Sequence, residues 1–288
     1  AQYLEIAVDP YPYPISHKGR YYQRSGSTNQ ELTGAPLDRF LMRKQGLHWD
    51  SAPMPGIPAG ALSGNAIATF KTMASESQRL DPSVLAETTD DLLAKLNLLE
   101  KKHLKRAAIL LFHPQPERLI SGAFVKIGYF HTESDLLYHD EIHGAHFDQA
   151  RQTLDLLLSK YLKAAIGYRG VQRTETLPVP VAALREVLFN ALIHKDYACP
   201  SPIQIRVYAD HLKVWNPGEL PEHWSADMLV GEHASRPHNP CLANVFFRAG
   251  EIEAWGRGIK RIFDACHEAG TPDPIIRYQP GDLWVEFP

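Results

Sequence analysis

The stretch that decides the fold is PVAALREVLFNALIHKDY, residues 180–197. Glu186, Asn190 and His194 recur every fourth position, so a helix would set them on one stripe, with Leu184, Val187, Leu188 and Ala191 on another face. The apolar face is built for a core. The polar stripe carries an acid, an amide and an imidazole, which are costly to bury unless each finds a partner, so a ligand or a metal-bound water is one reading. A stripe that merely faces solvent is the other, and this helix alone does not choose between them.

Downstream, the pattern predicts strand IQIRVY (203–208), a turn at Asp210 and His211, and strand LKVW (212–215). Helices near Asn239–Arg248 and Gly258–Ala269 and a closing strand LWVEF follow. Upstream lie strand FVKIGYF (124–130), a helix around Ala145–Ile166 and a strand near Tyr168–Thr176. Strands interleaved with long helices predict an α/β or α+β layered domain with a mixed sheet. Nearer the start, Tyr3–Val8 reads as a strand, Pro36–Lys44 as a helix ending at Gly46, and the Pro/Gly-rich Ser51–Gly64 as a linker. Asn65–Ser77 and Pro82–Leu99 carry helical spacing. Lys101, Lys102, Lys105 and Arg106 then form a basic cluster, read as a solvated face with nucleic acid as the alternative.

The chain has 288 residues, 44% hydrophobic and 22% charged, which suits a packed core in water and one large or two ordinary domains. Thirty Lys+Arg against 33 Asp+Glu give a net charge of −3, so no global positive field draws it to nucleic acid or membrane. Three scattered cysteines fit reduced thiols in a cytoplasm. The longest purely apolar run, Ala107–Phe112, is far short of a membrane span, and no secretory signal opens the chain. It begins at once on a strand-like run, and so reads as cut from something longer.

Two further segments carry chemistry. LKVWNPGELP (212–221) ends a strand at Asn216, with Pro217-Gly218 as a turn signal. In GEIEAWGRGIKRIFDAC (250–266), Gly250, Gly256 and Gly258 precede a helix, which lets backbone N–H groups and the helix dipole approach a phosphate. The spacing departs from the dinucleotide GxGxxG, and no GxxxxGK[ST] loop is present, so a literal helicase motor is not expected.

In chain order, REVLFNALIHKDY (185–197), VWNPGELP (214–221), HASRPHNP (233–240) and GEIEAWGRGIKRI (250–262) resemble the N, first-glycine and second-glycine boxes of the GHKL ATPases, with the loop between the last two. That superfamily includes the gyrase B subunit, large heat-shock chaperones, sensor histidine kinases and MutL. The closer resemblance is to the subgroup attached to Schlafen-like AlbA domains, labelled ATP-dependent DNA helicase-like or transcriptional regulator. It implies a Bergerat two-layer sandwich binding ATP and Mg²⁺, with slow, conformationally gated hydrolysis.

By the same resemblance Glu186 is the general base or water-orienting carboxylate and Asn190 holds Mg²⁺. Asn216 and Gly218 fall in the adenine-binding box; the wider superfamily has an Asp at position 216, whose place the uncharged amide takes. Gly256, Arg257 and Gly258 would cradle phosphates, and Ser235, Arg236 and Asn239 lie where a nucleotide lid would. For His194 and Lys195 a phosphate contact and a structural hydrogen bond are both open.

GRYYQRSGSTNQEL (19–32) and GLHWD (46–50) resemble the rear half of the Schlafen-like AlbA domain. The resulting expectation is that tail over residues 1–58, a helical connector over 59–103 and the ATP-binding domain over 104–288. DNA would be bound through the upstream part, and a homodimer is allowed. Tyr21, Tyr22 and Arg24 read as packed strand residues, or as a nucleic-acid clasp. The competing expectation is a decayed pocket in a non-catalytic scaffold or dimerising regulator. His139, His143 and His146 would share a helix face and could ligate zinc, but Asp140 breaks HExxH and Gly144 weakens the helix, so no metal site is expected there.

Overall fold

The computed structural model describes residues 11, 13–169, 172–221, 224–231, 233–253 and 256–288; the expected strand Tyr3–Val8 and Trp255 lie outside them. Strands β1 (Val125–Thr132), β2 (Asp135–Ile142), β3 (Ile203–Val207), β4 (Leu212–Gly218), β5 (Ile275–Gln279) and β6 (Gly281–Phe287) form one mixed sheet, in the order β5-β6-β4-β3-β1-β2. Only β3 and β1 run parallel; their register sets Ile205 beside Ile127, and β4 sets Val214 beside both Ile205 and Val285. Period-2 alternation does the rest. Val125, Ile127, Ile203, Ile205, Val207, Leu212, Val214, Val285 and Phe287 are buried under helices. Lys126, Gln204, Arg206, Lys213, Trp215 and Trp284 are half-buried on the opposite face.

That open face is a mosaic of aromatic rings and paired ions. Arg206 lies over the rings of Phe130 (5.7 Å) and Trp284 (5.3 Å), and Trp215 stands 5.9 Å from Trp284. Its cations have acidic partners: Lys213 and Arg206 with Glu133, Lys126 with Glu141, Arg277 with Glu286. Among the described residues, the cations of this face are thus answered by acids of the same face or its edge.

Helices α1 (Gly64–Ser77), α2 (Arg106–Phe112), α3 (His146–Leu156), α4 (Val181–His194), α5 (Pro240–Arg248) and α6 (Gly258–Ala269) contribute to the core. A relay of rings joins five of them: Phe70 to Phe112 (5.9 Å), Phe112 to Phe147 (6.1 Å), Phe147 to Phe246 (5.1 Å) and Phe246 to Phe189 (5.1 Å). Helix α1, expected as part of a connector, thus supplies Phe70 to the core that underlies the sheet.

Several local expectations need correction. Ser51–Gly64 is more than a linker: Pro53–Met54 pairs with His103–Lys105, and Ser63 caps α1 by accepting the Ala66 N–H at 3.2 Å. The helix expected over Pro82–Leu99 is broken into Pro82–Leu85 and Thr89–Lys95, because the Thr88 side chain caps a new helix by accepting the Asp91 N–H. The basic cluster is split. Lys105 is buried with its Nζ donating to Asn97 Oδ1 at 2.8 Å, and Arg106 lies 4.4 Å from the ring centroid of Trp49, while Lys101 and Lys102 stay exposed.

The three histidines do not share a helix face. His139 lies on β2, His143 follows it, and Gly144, at φ +102°, turns the chain before α3 begins at His146. Among the described residues no cluster of three or more His, Cys, Asp or Glu is arranged to hold a metal, and no helix is long and apolar enough to cross a membrane.

Because Phe246 is fully buried between two rings, Phe246→Ala is expected to cost about 3–5 kcal/mol, read as a fall in the urea midpoint. A loss under 1 kcal/mol would show that the ring relay does not carry the core.

Candidate functional site

Helix α4 starts at Pro180, whose carbonyl accepts the Leu184 N–H at 3.0 Å. Its far end is held by a distant side chain: Asn239 Nδ2 donates to the carbonyls of Ile193 and Lys195, both at 2.8 Å, and the Asn239 N–H donates to Ile193 O at 3.2 Å. These carbonyls have no helical partner of their own.

The stripe on α4 faces the start of α6. A methyl group added at Gly258 would collide with Glu186 Oε1 and lie 3.2 Å from Asn190 Nδ2, so the bare glycine is what lets the helix start come this close. Gly256, at φ +69°, serves the other side: a side chain there would collide with the His233 carbonyl and lie 3.3 Å from the Ser235 N–H nitrogen. The Gly-Arg-Gly turn therefore joins the α4 stripe to the 233–235 segment. Arg257 provides no side-chain cap to α6.

Between these walls is a hollow of about 1150 Å³ when the open solvent at its mouth is included. Glu186, Asn190, His194, Asn216, Gly218, Ser235, Arg236, Gly256 and Gly258 all line it. Two residues expected there do not. Asn239 is fully buried with its amide committed to the end of α4, and Arg257 is exposed outside the lining. Trp224, Leu229 and Tyr278 also line the hollow and were not singled out from sequence. Only Tyr278 had a legible signal, the alternation of IIRYQ (275–279).

The electrostatics are local. Glu186 is only 7% exposed, and burial raises its carboxyl above the usual range; Arg261 and Arg185 pull it back, and Glu253 adds to the rise. Asn190 Nδ2 is buried with no hydrogen-bond partner. His194 is pushed down to about 4, first by burial and then by His238 and His233, so it lines the hollow as a neutral imidazole. Lys195 turns away from the hollow's chemistry: its buried Nζ donates to Asp196 O (3.1 Å) and Cys199 O (3.0 Å).

The Pro217-Gly218 turn expected from sequence is instead strand. Asn216, Pro217 and Gly218 pair with Leu283, Asp282 and Gly281, and the Pro217 carbonyl accepts the Asp196 N–H at 2.7 Å. Asn216 is 4% exposed on the hollow side of β4, and its Nδ2 donates to Pro217 O at 3.3 Å. Gly218 again admits a close approach, since a methyl there would lie 2.8 Å from the His194 carbonyl. The arrangement offers an acid of raised pKa, an amide and a helix start at one end, and mostly apolar walls at the other.

Residues 201–287 match a known family. Its description is "Putative ATP-dependent DNA helicase recG C-terminal", and the match supports an ATPase-like domain in this part of the chain. Among solved structures, the DIP2311 protein of Corynebacterium diphtheriae is similar with a TM-score of 0.67 and 21% identity, over 96% of this chain and 55% of its own. At that identity the likeness is one of fold. The chain spans about half the length of that protein. No curated protein matches it.

Asn239→Ala would leave the Ile193 and Lys195 carbonyls without their donor, with an expected loss of about 1–3 kcal/mol in denaturant unfolding. Unchanged stability would mean that these bonds do not hold the end of α4.

Proposed function

We propose that the hollow binds ATP together with Mg²⁺, in a GHKL-type two-layer sandwich, and supports slow hydrolysis. The observation that carries this reading is the contact of Glu186 and Asn190 with Gly258 at the start of α6. An acid, an amide oxygen and a helix N-terminus at one point are the groups that phosphoryl transfer uses to orient water, spread charge and hold phosphate. The family match over residues 201–287 supports it independently.

The residues present fit the cation. Asn190 Oδ1 would supply one hard oxygen donor, too few for an all-protein cage, as in Mg²⁺ sites completed by phosphates and water. The unpartnered atom of Asn190 is Nδ2, a donor that would serve a phosphate oxygen and leave Oδ1 for the cation. Mg²⁺ bound there would neutralise phosphate charge. Glu186 would orient and deprotonate water, the Asn216 oxygen would accept from the adenine amino group, and the uncapped start of α6 would meet phosphate oxygens. Ser235 and Arg236 would close over the ligand from the 233–239 wall.

On this reading the front residues fit the tail of a Schlafen-like AlbA domain, supported by the hairpin of Tyr21–Ser25 with Thr28–Leu32 and the helix Ala35–Lys44. DNA binding is assigned to the longer protein and not to the ion-paired sheet face. A second reading is a non-catalytic scaffold or dimerising regulator, favoured by the uncharged Asn216.

Calorimetric titration of the folded protein with ATP and Mg²⁺ is expected to give saturable heat. Glu186→Gln should keep that binding and lower turnover by about 10²–10⁴-fold. Absence of heat would remove the proposal, and turnover unchanged in Glu186→Gln would favour the scaffold. The base works ionised, and burial raises its pKa, so kcat/KM should climb with pH through a midpoint above the usual glutamate range. A profile flat from pH 4 to 8 would contradict that role.

A further inference from the structure

Trp49 and Asp50, in GLHWD (46–50), are far from the hollow in sequence yet grip both elements that frame it. Asp50 is fully buried, and its Oδ2 accepts the N–H of Cys241 at 2.7 Å and of Leu242 at 3.0 Å, in the first turn of α5. Asn239, the residue at the cap position of α5, gives that helix no side-chain bond, because its amide holds the end of α4. The start of α5 is thus capped by a carboxylate from the other end of the chain.

Trp49 completes the grip. Its ring stacks on Tyr197 at 5.9 Å and carries Arg106 on its face at 4.4 Å. Tyr197 in turn donates its hydroxyl to Leu192 O at 2.9 Å, in the last turn of α4. The 233–239 wall runs directly into α5 through Asn239, so any shift of α5 is passed to that wall and to the end of α4.

We propose that Asp50 is a positioning residue for the hollow: by fixing the start of α5 it fixes Asn239, and so sets the separation between the 233–239 wall and helix α4. The cap is an expensive one. Burial pushes the Asp50 carboxyl up to about 6 against the pull of the Leu242 and Cys241 N–H groups, and Oδ1 has no partner. A half-exposed Ser or Asp at position 239 would cap α5 with less desolvation, but would release α4. The buried carboxylate keeps both helices held and ties them to the 46–52 segment, making the segment that follows helix Ala35–Lys44 part of the frame of the hollow. The effect on nucleotide affinity rests on the function proposed above; the positioning itself does not.

The test compares Asp50→Asn, which keeps an acceptor at the Oδ2 position, with Asp50→Ala, which removes it, by amide hydrogen exchange and by ATP–Mg²⁺ titration. Asp50→Ala should raise exchange about ten-fold or more at Cys241 and Leu242 and across the described residues of 233–239, while Val125–Thr132 stays as in the parent. Asp50→Asn should restore the parent pattern. ATP affinity should fall about ten-fold in Asp50→Ala and not in Asp50→Asn. If Asp50→Ala does not fold, Trp49→Leu takes its place, with faster exchange expected at Lys195 and Asp196 and along 233–239. Exchange unchanged along 233–242, or raised uniformly through the sheet, overturns the proposal. If exchange moves as expected but no form of the protein binds ATP, the positioning stands and the nucleotide reading fails.

Discussion

The molecule depends on one missing side chain. With hydrogen alone at position 258, the start of α6 rests against Glu186 and Asn190, midway along the polar stripe of α4, and two helices that would otherwise stand a side chain apart come together there. The contact sets the positive end of a helix dipole beside a buried acid, which softens the cost of burying it. It also closes one end of the hollow. Two residues earlier, the left-handed Gly256 presses the same turn onto the 233–235 segment, so one short glycine turn fixes both walls.

The far end of α4 is settled by polar groups that packing alone would not have brought together. Asn239 takes two carbonyls, Lys195 spends its ammonium on the Asp196 and Cys199 carbonyls, and Tyr197 bridges Leu192 and His146. Burial drives His146 down to about 3, which leaves it neutral, and Lys195 down to about 8, which leaves it mostly protonated at neutral pH with the two carbonyls as its acceptors. The junction is not fully satisfied: Asn239 Oδ1, Asp50 Oδ1 and His146 Nδ1 are buried without partners. A junction of this kind specifies position more than it adds stability, because each group is correct in only one arrangement.

The sequence displayed the parts of this design that repeat with a period. The Glu186–Asn190–His194 stripe follows from the helical repeat, and the start of α6 at Gly258 follows from its glycines. Strands β3, β4 and β6 follow from alternation. What was illegible depends on partners distant along the chain. Pro217 reads as a turn, yet it stays in β4 because β3 ends opposite Trp215, leaving that side of the strand free of a ladder that would need its N–H. Strand β2 was hidden because YHDEIH also fits a helix, and only the Tyr129–Tyr138 register against β1 decides it. Asn239 reads as a loop residue; that its amide turns to α4, while Asp50 takes over the cap of α5, requires two residues separated by most of the chain.

Charge balance at the hollow gives the remaining step. Glu253 is already answered by Arg79 at 2.7 Å and Arg261 at 3.5 Å, and Arg185 pairs with Glu251. Glu186 has no such ion pair among the described residues; the two arginines that reach it act at a distance and do not overcome burial. A polyanion brought to the start of α6 therefore meets a helix dipole that attracts it and a carboxylate that repels it, at close range and away from bulk water. The repulsion is relieved if the ligand arrives with positive charge of its own, or if Glu186 takes a proton. The first keeps the acid ionised and able to act as a base, and the second silences it. The unpartnered Asn190 Nδ2 beside the acid is a hydrogen-bond donor, so it is satisfied by an acceptor oxygen on whatever ligand brings the compensating charge or the proton.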